Sequence, residues 1–388
     1  MDLKLRTASM AILVLALGMA AFAACSAPAA PASPTAAKAA SAAAAAAPTA
    51  AKAAAAGPSV TWKMAMPAVG PNGVIGKSYL WWGQEVEKRT EGRVKIQFFW
   101  SESLLAQKDM LSGLAQGIAD ACIVGLSYFP AQNAIGLVTE FPGNASDPLA
   151  VLKAMDELYD TNADAKSDLE KNGVVRIGGW TTGLFQLFLG ESFTNLDGLK
   201  GKSIRSGGGA RTPMWQTLGA NPVSMTSGEL YDAVDRGVIF GFENTLCLAD
   251  DQKHGEVVET VVLTNAGSVT GSFLGVNKGV WDKLSEADRK ALTQLRDDFH
   301  VQLAKDLIGS QDAVVEKWKK NGIEFVTLSG SDKQTFDAAA AAATTTQVEK
   351  SEKAVGGSGK AKAAYEQFKS LVEKYEAQIK KDGYPWKK

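Results

Sequence analysis

Arg205 ends a short strand-like segment, Ser203 to Arg205, and leads directly into Gly207, Gly208 and Gly209. A guanidinium is permanently charged and offers a planar fork of donors, so beside a glycine loop it can take a carboxylate through two hydrogen bonds. The same residues also read as a solvent-exposed arginine at a turn. Other chemistry is sparse. Of the two histidines, His300 is expected on the polar side of a long helix, which leaves His254, and no nucleophile motif lies near it. Gly201-Lys202-Ser203 lacks the first glycine of a phosphate loop, with Leu196 in its place, and Gly207 to Gly209 lack the spacing of a dinucleotide fingerprint. Asp250-Asp251 and Asp297-Asp298 sit beside basic or polar residues and read as solvated faces. A secreted lyase or hydrolase built on Asp250, Asp251 and His254 is the remaining enzymatic reading. The pattern favours a binder.

The elements around Arg205 alternate. Ala210 to Leu218 reads as a helix, Asn221 to Met225 as a strand, Gly228 to Arg236 as a helix and Val238 to Phe242 as a strand, which completes a βαβαβ unit with a parallel sheet. Ligands of such sheets sit beyond the carboxyl ends of the strands, where Arg205, Met225 and Asn244 fall. A second unit of the same order precedes it. Val60 to Met66 alternates as a strand, Lys77 to Arg89 forms a helix stopped at Thr90-Glu91-Gly92, and Arg93 to Trp100 is a strand. A helix from Leu105 to Gly117 and the apolar strand Ala121 to Gly125 follow. Ser285 and Asp288 make a cap-like start for a long helix carrying Leu292, Leu295, Phe299, Leu303 and Leu307, which can pack across both units. Ile323 to Leu328 reads as a strand. Tyr365, Phe368, Leu371, Val372, Tyr375 and Ile379 mark a last amphipathic helix.

The ends and the composition narrow the setting. Lys4 and Arg6 precede an apolar run from Met10 to Phe22, then Ala23-Ala24-Cys25, the pattern of a secretory signal (residues 1–25) whose cysteine resembles a lipidation site. Residues 26–57 are nearly all alanine broken by prolines, a semi-flexible tether without large apolar residues. About 330 residues remain, enough for a two-lobed body. The balance of 41 basic and 42 acidic residues, without a basic stripe, argues against a nucleic-acid partner and leaves the lipid anchor as the only membrane contact. Cys122 and Cys247 sit in apolar contexts and read as small buried hydrophobes, with a disulfide as the alternative.

Five segments in order then resemble the DctP-type solute-binding proteins of tripartite ATP-independent periplasmic (TRAP) transporters. They are VEKRTEGRVKIQFF (86–99), LAQGIADACIVG (114–125), LDGLKGKSIR (196–205), LGANPVSMTSGELYDAVDRGVIFGFEN (218–244) and GVWDKLSEADRKAL (279–292). The resemblance implies an α/β, two-lobed clamp of the periplasmic-binding-protein kind, with crossing strands and a long helix spanning both lobes. Lobe I is assigned residues 58–180 plus about 267–310, and lobe II residues 181–266 plus about 311–388. It implies a periplasmic, lipid-anchored receptor with no catalytic residues. The receptor passes a small organic acid to a small and a large membrane subunit. A sensory subunit with the same clamp is the alternative.

By the same resemblance, Arg205 grips the ligand carboxylate and Asn244 lines the cleft. Where relatives that take dicarboxylates or sialic acid carry a second arginine after a glycine, Gly183 is followed by Leu184, Phe185 and Gln186. A charge is thus exchanged for an aromatic, which favours a monocarboxylate, such as a 2-oxo, hydroxy or aromatic acid, over a C4-dicarboxylate. Gly125 and Ser227 replace bulkier or charged residues, and Trp100, Tyr128, Trp180, Trp215 and Phe242 are expected to supply apolar wall. A branch of the family holds a metal ion beside the ligand, and Gln186 and Glu243 are the matching oxygen donors for such an ion.

Overall fold

The computed structural model describes residues 59–143, 147–268 and 271–387, so the signal, Cys25 and the alanine-rich tether lie outside the described residues. The chain opens with strand β1 (Val60–Ala65), helix α1 (Val74–Arg89), strand β2 (Val94–Phe99), helix α2 (Met110–Ala115) and strand β3 (Ala121–Gly125). Helix α1 buries Ile75, Tyr79, Trp82 and Val86, a stripe at helical spacing, and lets β2 return parallel to β1. Its stop works as its sequence implies: the Thr90 hydroxyl donates to the Val86 carbonyl at 2.7 Å, and Glu91 and Gly92 take positive φ to turn the chain.

Helices α3 (Pro148–Thr161) and α4 (Ala163–Glu170) then lead into β4 (Val174–Trp180). The Asp147 carboxylate caps α3 by accepting from the Leu149 and Ala150 amides, with Pro148 at the first helical position. The chain then crosses into a second layer. This layer comprises β5 (Phe185–Leu189), β6 (Ser203–Ser206), α5 (Thr212–Thr217), β7 (Asn221–Ser224), α6 (Leu230–Asp235), β8 (Gly241–Thr245), α7 (Leu246–Asp251) and β9 (Thr260–Leu263). It returns through β10 (Ser272–Asn277) and α8 (Lys278–Asp282) to the long helix α9 (Glu286–Lys320), and ends with β11 (Glu324–Thr327), α10 (Gly330–Ala354) and α11 (Lys360–Asp382).

Two sheets result, ordered β2-β1-β3-β10-β4 and β11-β9-β5-β8-β6-β7. The chain passes between them three times, from β4 to β5, from β9 to β10 and, through α9, from β10 to β11, and the first two crossing segments meet in an antiparallel bridge between Leu184 and Ser268. Helix α9 ties the lobes together. Its first half buries Leu292, Leu295, Phe299, Leu303 and Leu307 with Trp62, Tyr79 and Trp82 of the first lobe, and its end buries Val314 and Trp318 with Phe188 and Phe242 of the second. Each such side chain contributes roughly 1.5–3 kcal/mol through removal of its apolar surface from water. Among the described residues no helix is long and apolar enough to cross a membrane.

Four expectations change. His300 is fully buried, not on a polar face, because α9 is covered by the first lobe on that side as well. The strand expected at Val238 to Phe242 runs instead from Gly241 to Thr245. Val238 is 62% exposed in the turn that closes α6, so its apolar character marks no strand. Helix α10 was not foreseen; its alanines pack Ala339, Ala340 and Ala343 against Met214 and Trp215 of the second lobe. Helix α11 then returns to the first lobe, where Phe368, Leu371 and Val372 pack on Val151, Met155 and Leu158 of α3, so residues 311–388 do not all belong to lobe II. Cys122 and Cys247 are both buried and free.

Candidate functional site

The glycine loop after β6 reaches the other lobe. Gly208 has φ +143°, and a Cβ on it would fall 2.3 Å from that of Ser127, which lies in the turn following β3. Only a residue without a side chain lets the two lobes approach this closely. Between them lies a cavity of about 80 Å³. From the first lobe it is lined by Gln107, Gly125, Ser127, Tyr128, Glu140 and Trp180, and from the second by Phe185, Arg205, Arg211, Ser227 and Asn244.

Arg205 is 3% exposed, which removes the reading of a solvated turn residue. Its Nε donates to the Met225 carbonyl at 3.0 Å and its Nη1 to the Glu243 carbonyl at 3.2 Å. Both acceptors are neutral, and among the described residues Arg205 makes no ion pair within 4 Å. The parallel register Arg205 to Phe242 between β6 and β8 brings the guanidinium over the strand end that also presents Asn244. Asn244 accepts from the Thr245 amide at 2.9 Å, and its amide approaches Gln252 at 3.4 Å. Gln252 in turn donates to the Ala68 carbonyl of the first lobe at 2.6 Å.

Gln186 and Glu243 are placed differently from the rest. Gln186 pairs with Asn244 and Leu187 with Glu243, so alternation along the strands sends the Gln186 and Glu243 side chains to opposite faces of the sheet. Gln186 exchanges hydrogen bonds with Asn265 at 2.9 and 3.1 Å and does not line the cavity. Glu243 lies behind the glycine loop, accepting from the Gly207 amide at 2.8 Å, Trp215 Nε1 at 3.0 Å and Arg211 Nε at 2.9 Å. The two side chains expected to share a metal ion therefore point apart. Trp100 stacks on Phe98, Phe242 on Phe188, and Trp215 packs with Phe336, so these three build core and not cleft wall.

Two charged residues of the cavity, besides neutral ones such as Gln107 and Ser127, escaped the sequence reading. Arg211 lies six positions beyond Arg205, at the start of α5, where it was read as part of a helix. It is 3% exposed, stacks over the Phe185 ring at 4.2 Å and donates from Nη2 to the Ala266 carbonyl at 2.7 Å. Glu140 ends a short 3-10 helix in an aperiodic stretch, and the Ser127 hydroxyl donates to its Oε2. Burial pushes the Glu140 carboxyl up to about 8, with Arg211 pulling the other way. Burial also raises the Tyr128 hydroxyl.

The enzymatic trio is not gathered. Asp250 faces α9, at 2.7 Å from Lys317 and 2.8 Å from Trp318 Nε1, while Asp251 accepts from the Val74 amide at 3.3 Å. His254 is buried edge-on to Phe242 and held neutral, its pKa lowered to about 3 by burial first and by Arg205 second.

Two α/β lobes on crossing strands, closed over a buried cation without a counter-ion, define a hinged clamp for a small anion. The chain belongs to the DctP family, bacterial extracellular solute-binding protein family 7, whose sequence profile matches residues 66–351. It is 27% identical over 230 residues to the C4-dicarboxylate-binding periplasmic protein DctP of Rhodobacter capsulatus, covering 58% of this chain and 67% of that one. It is 24% identical over 247 residues to the 2,3-diketo-L-gulonate-binding periplasmic protein YiaO of Escherichia coli K12, covering 62% and 74% respectively. The crystal structure of a TRAP solute-binding protein from Rhodoferax ferrireducens T118 with copurified benzoate superposes with a TM-score of 0.75 at 18% identity, covering 83% of this chain and all of that one.

Proposed function

We propose that this protein is an extracytoplasmic receptor, tethered through Cys25, that captures a small organic monocarboxylate with Arg205 and passes it to TRAP membrane subunits without breaking a bond. The observation that carries this reading is the state of Arg205: a buried guanidinium held in place by two carbonyls, with no carboxylate within 4 Å of it among the described residues. A buried unpaired charge is costly, so the site is built for a partner that arrives from outside. Asn244 and Ser227 supply polar contacts, and Trp180, Phe185 and Tyr128 supply the walls. The other cleft cation, Arg211, is already neutralised by Glu243, which leaves one uncompensated positive charge and favours one carboxylate over two.

A thermal-shift screen of oxo, hydroxy, aromatic and dicarboxylic acids tests the class, since a guest at a hundred times its dissociation constant stabilises by about 2.7 kcal/mol. Calorimetry on any hit should then show Arg205→Ala losing most of the affinity; equal binding by that variant would overturn the assignment. Replacement of Cys25 by Ser should release the protein from the membrane fraction of its host, and retention there would remove the anchor.

A further inference from the structure

We infer that Arg211 and Glu140 form a second pole of the cavity, which reads an uncharged, oxygen-bearing group on a guest whose carboxylate is held by Arg205. The inference rests on the Arg205 reading and adds the chemistry of the guest's other end. Arg211 uses Nε on Glu243 and Nη2 on the Ala266 carbonyl, while its buried Nη1 has no hydrogen-bond partner. A charged donor left unsatisfied in the interior is rare and costly, and here the residue lines the cavity, so a guest acceptor can satisfy it.

Glu140 complements this donor. Gly271 has φ +69°, and a Cβ there would sit 1.9 Å from the Glu140 Cγ, so the crossing segment is built to let this side chain lie across it. The Ser127 hydroxyl donates to Oε2, and the Glu140 side chain lines the cavity. The groups acting on Glu140 are Arg211 and the Ser127 backbone amide, which favour its charge, Glu243, which opposes it, and Tyr128 and Tyr159, which lie close enough to feel it. Burial outweighs the rest and holds the carboxyl largely protonated below about 8. The protonated Glu140 carboxyl and the free Nη1 are then two donors suited to one carbonyl-type oxygen.

The charge count sets the selectivity. Arg205 and Arg211 are cationic, Glu243 is the anion paired with Arg211, and Glu140 is neutral, so one guest carboxylate balances the cavity. A second carboxylate leaves an excess negative charge in a desolvated site. The solute class is therefore a compact monocarboxylate bearing a ketone, amide or lactam oxygen.

Calorimetry at pH 7 with succinamate, butyrate and succinate separates these contributions. The wild type is expected to bind succinamate about tenfold more tightly than butyrate, and more tightly than succinate. Glu140→Leu should bring succinamate down to the level of butyrate while butyrate itself is unchanged. Glu140→Gln, which keeps a donor of the same shape, should retain the preference but lose the fall in succinamate affinity that the wild type shows above about pH 8. Unfolding curves of each free variant establish that it is folded. The inference is overturned if succinate outbinds succinamate in the wild type, or if Glu140→Leu keeps the succinamate preference. In either case loss of all binding in Arg205→Ala leaves the primary reading standing. If no probe binds the wild type, or Arg205→Ala binds as the wild type does, the Arg205 reading fails and this inference with it.

Discussion

The protein buries two arginine clusters, and they are balanced in opposite ways. Behind the first sheet, Asp156 stands 2.5 Å from Arg176, 3.0 Å from Arg296 and 3.0 Å from His300, and Arg296 also reaches Asp160 at 2.8 Å. The Gly179 amide donates to His300 Nε2 at 2.9 Å, which orients the ring so that Nδ1 faces Asp156. Although burial opposes it, His300 and the Arg176 and Arg296 guanidiniums hold the Asp156 carboxyl far below its usual range. In the cleft, Arg211 has Glu243, but Arg205 meets only neutral groups, two carbonyls and the Tyr128 hydroxyl, and the nearby Glu140 is kept from ionising. The difference separates structure from function: a charge satisfied within the chain locks α3, β4 and α9 together, whereas a charge left open is available to a guest.

The sharpest way to break this comparison is to remove the acid from the balanced cluster. Asp156→Ala strands buried cations and should destabilise the fold by about 3–5 kcal/mol in urea unfolding. The folded pKa of Asp156 is depressed, so its contribution is present above the unfolded carboxylate value and is lost as the pH falls below it. The deficit of the variant should therefore shrink in acid. A loss under about 1 kcal/mol at neutral pH would show that the cluster is dispensable and the contrast unfounded.

Removing Arg205 should have the opposite signature. Arg205→Ala is expected to weaken carboxylate binding by roughly 1.5–3 kcal/mol, a charge-assisted hydrogen bond's worth, while the free protein's urea midpoint stays level or rises. A free protein destabilised as severely as Asp156→Ala would mean that Arg205 is a structural cation like Arg176.

The sequence revealed the first arginine and hid the second for a physical reason. Arg205 stands at a strand end before three glycines, a local pattern that also fixes its position in a parallel sheet. Arg211 becomes a cleft residue only because Phe185 and Glu243, distant in sequence, arrive beside it through the pairing of β5 and β8. The same pairing separates Gln186 from Glu243, because one step of register exchanges the faces of a strand. Glu140 carries no periodic signal at all. The two α/β units and the bridging helix were legible because long periodic segments declare themselves, whereas the clamp and its crossing strands were implied only by the family resemblance. The return of α11 to the first lobe depends on its contact with α3, which no local pattern encodes.

A smaller effect sharpens the role of Phe185. Its ring lies 4.2 Å from the guanidinium of Arg211, a cavity-lining residue whose buried Nη1 has no partner, and restrains that group. Desolvated cation–π contacts contribute about 2 kcal/mol, and Phe185→Leu keeps the apolar wall while removing the ring's quadrupole. Binding of an oxygen-bearing monocarboxylate should weaken by up to about tenfold, with butyrate less affected. Equal losses for both acids would make Phe185 merely wall.

The smallest effect concerns a carboxylate that meets the other lobe through a backbone amide. Asp251, at the end of α7, accepts from the Val74 amide at the start of α1, and burial raises its pKa to about 6. A carboxyl raised above its unfolded value contributes stability that is complete below the unfolded pKa and is lost as the pH rises through about 6. Asp251→Asn keeps an oxygen for the Val74 amide but cannot ionise. Its stability relative to wild type should therefore increase between acid and neutral pH, by about 1 kcal/mol once the rise of the Asp251 pKa is discounted for partial exposure. Thermal unfolding of both proteins at pH 4.5 and pH 7.5 measures that difference directly. A variant that instead gains relative to wild type on acidification would show that ionised Asp251 stabilises the interlobe contact, and it would move this residue into the class of Asp156.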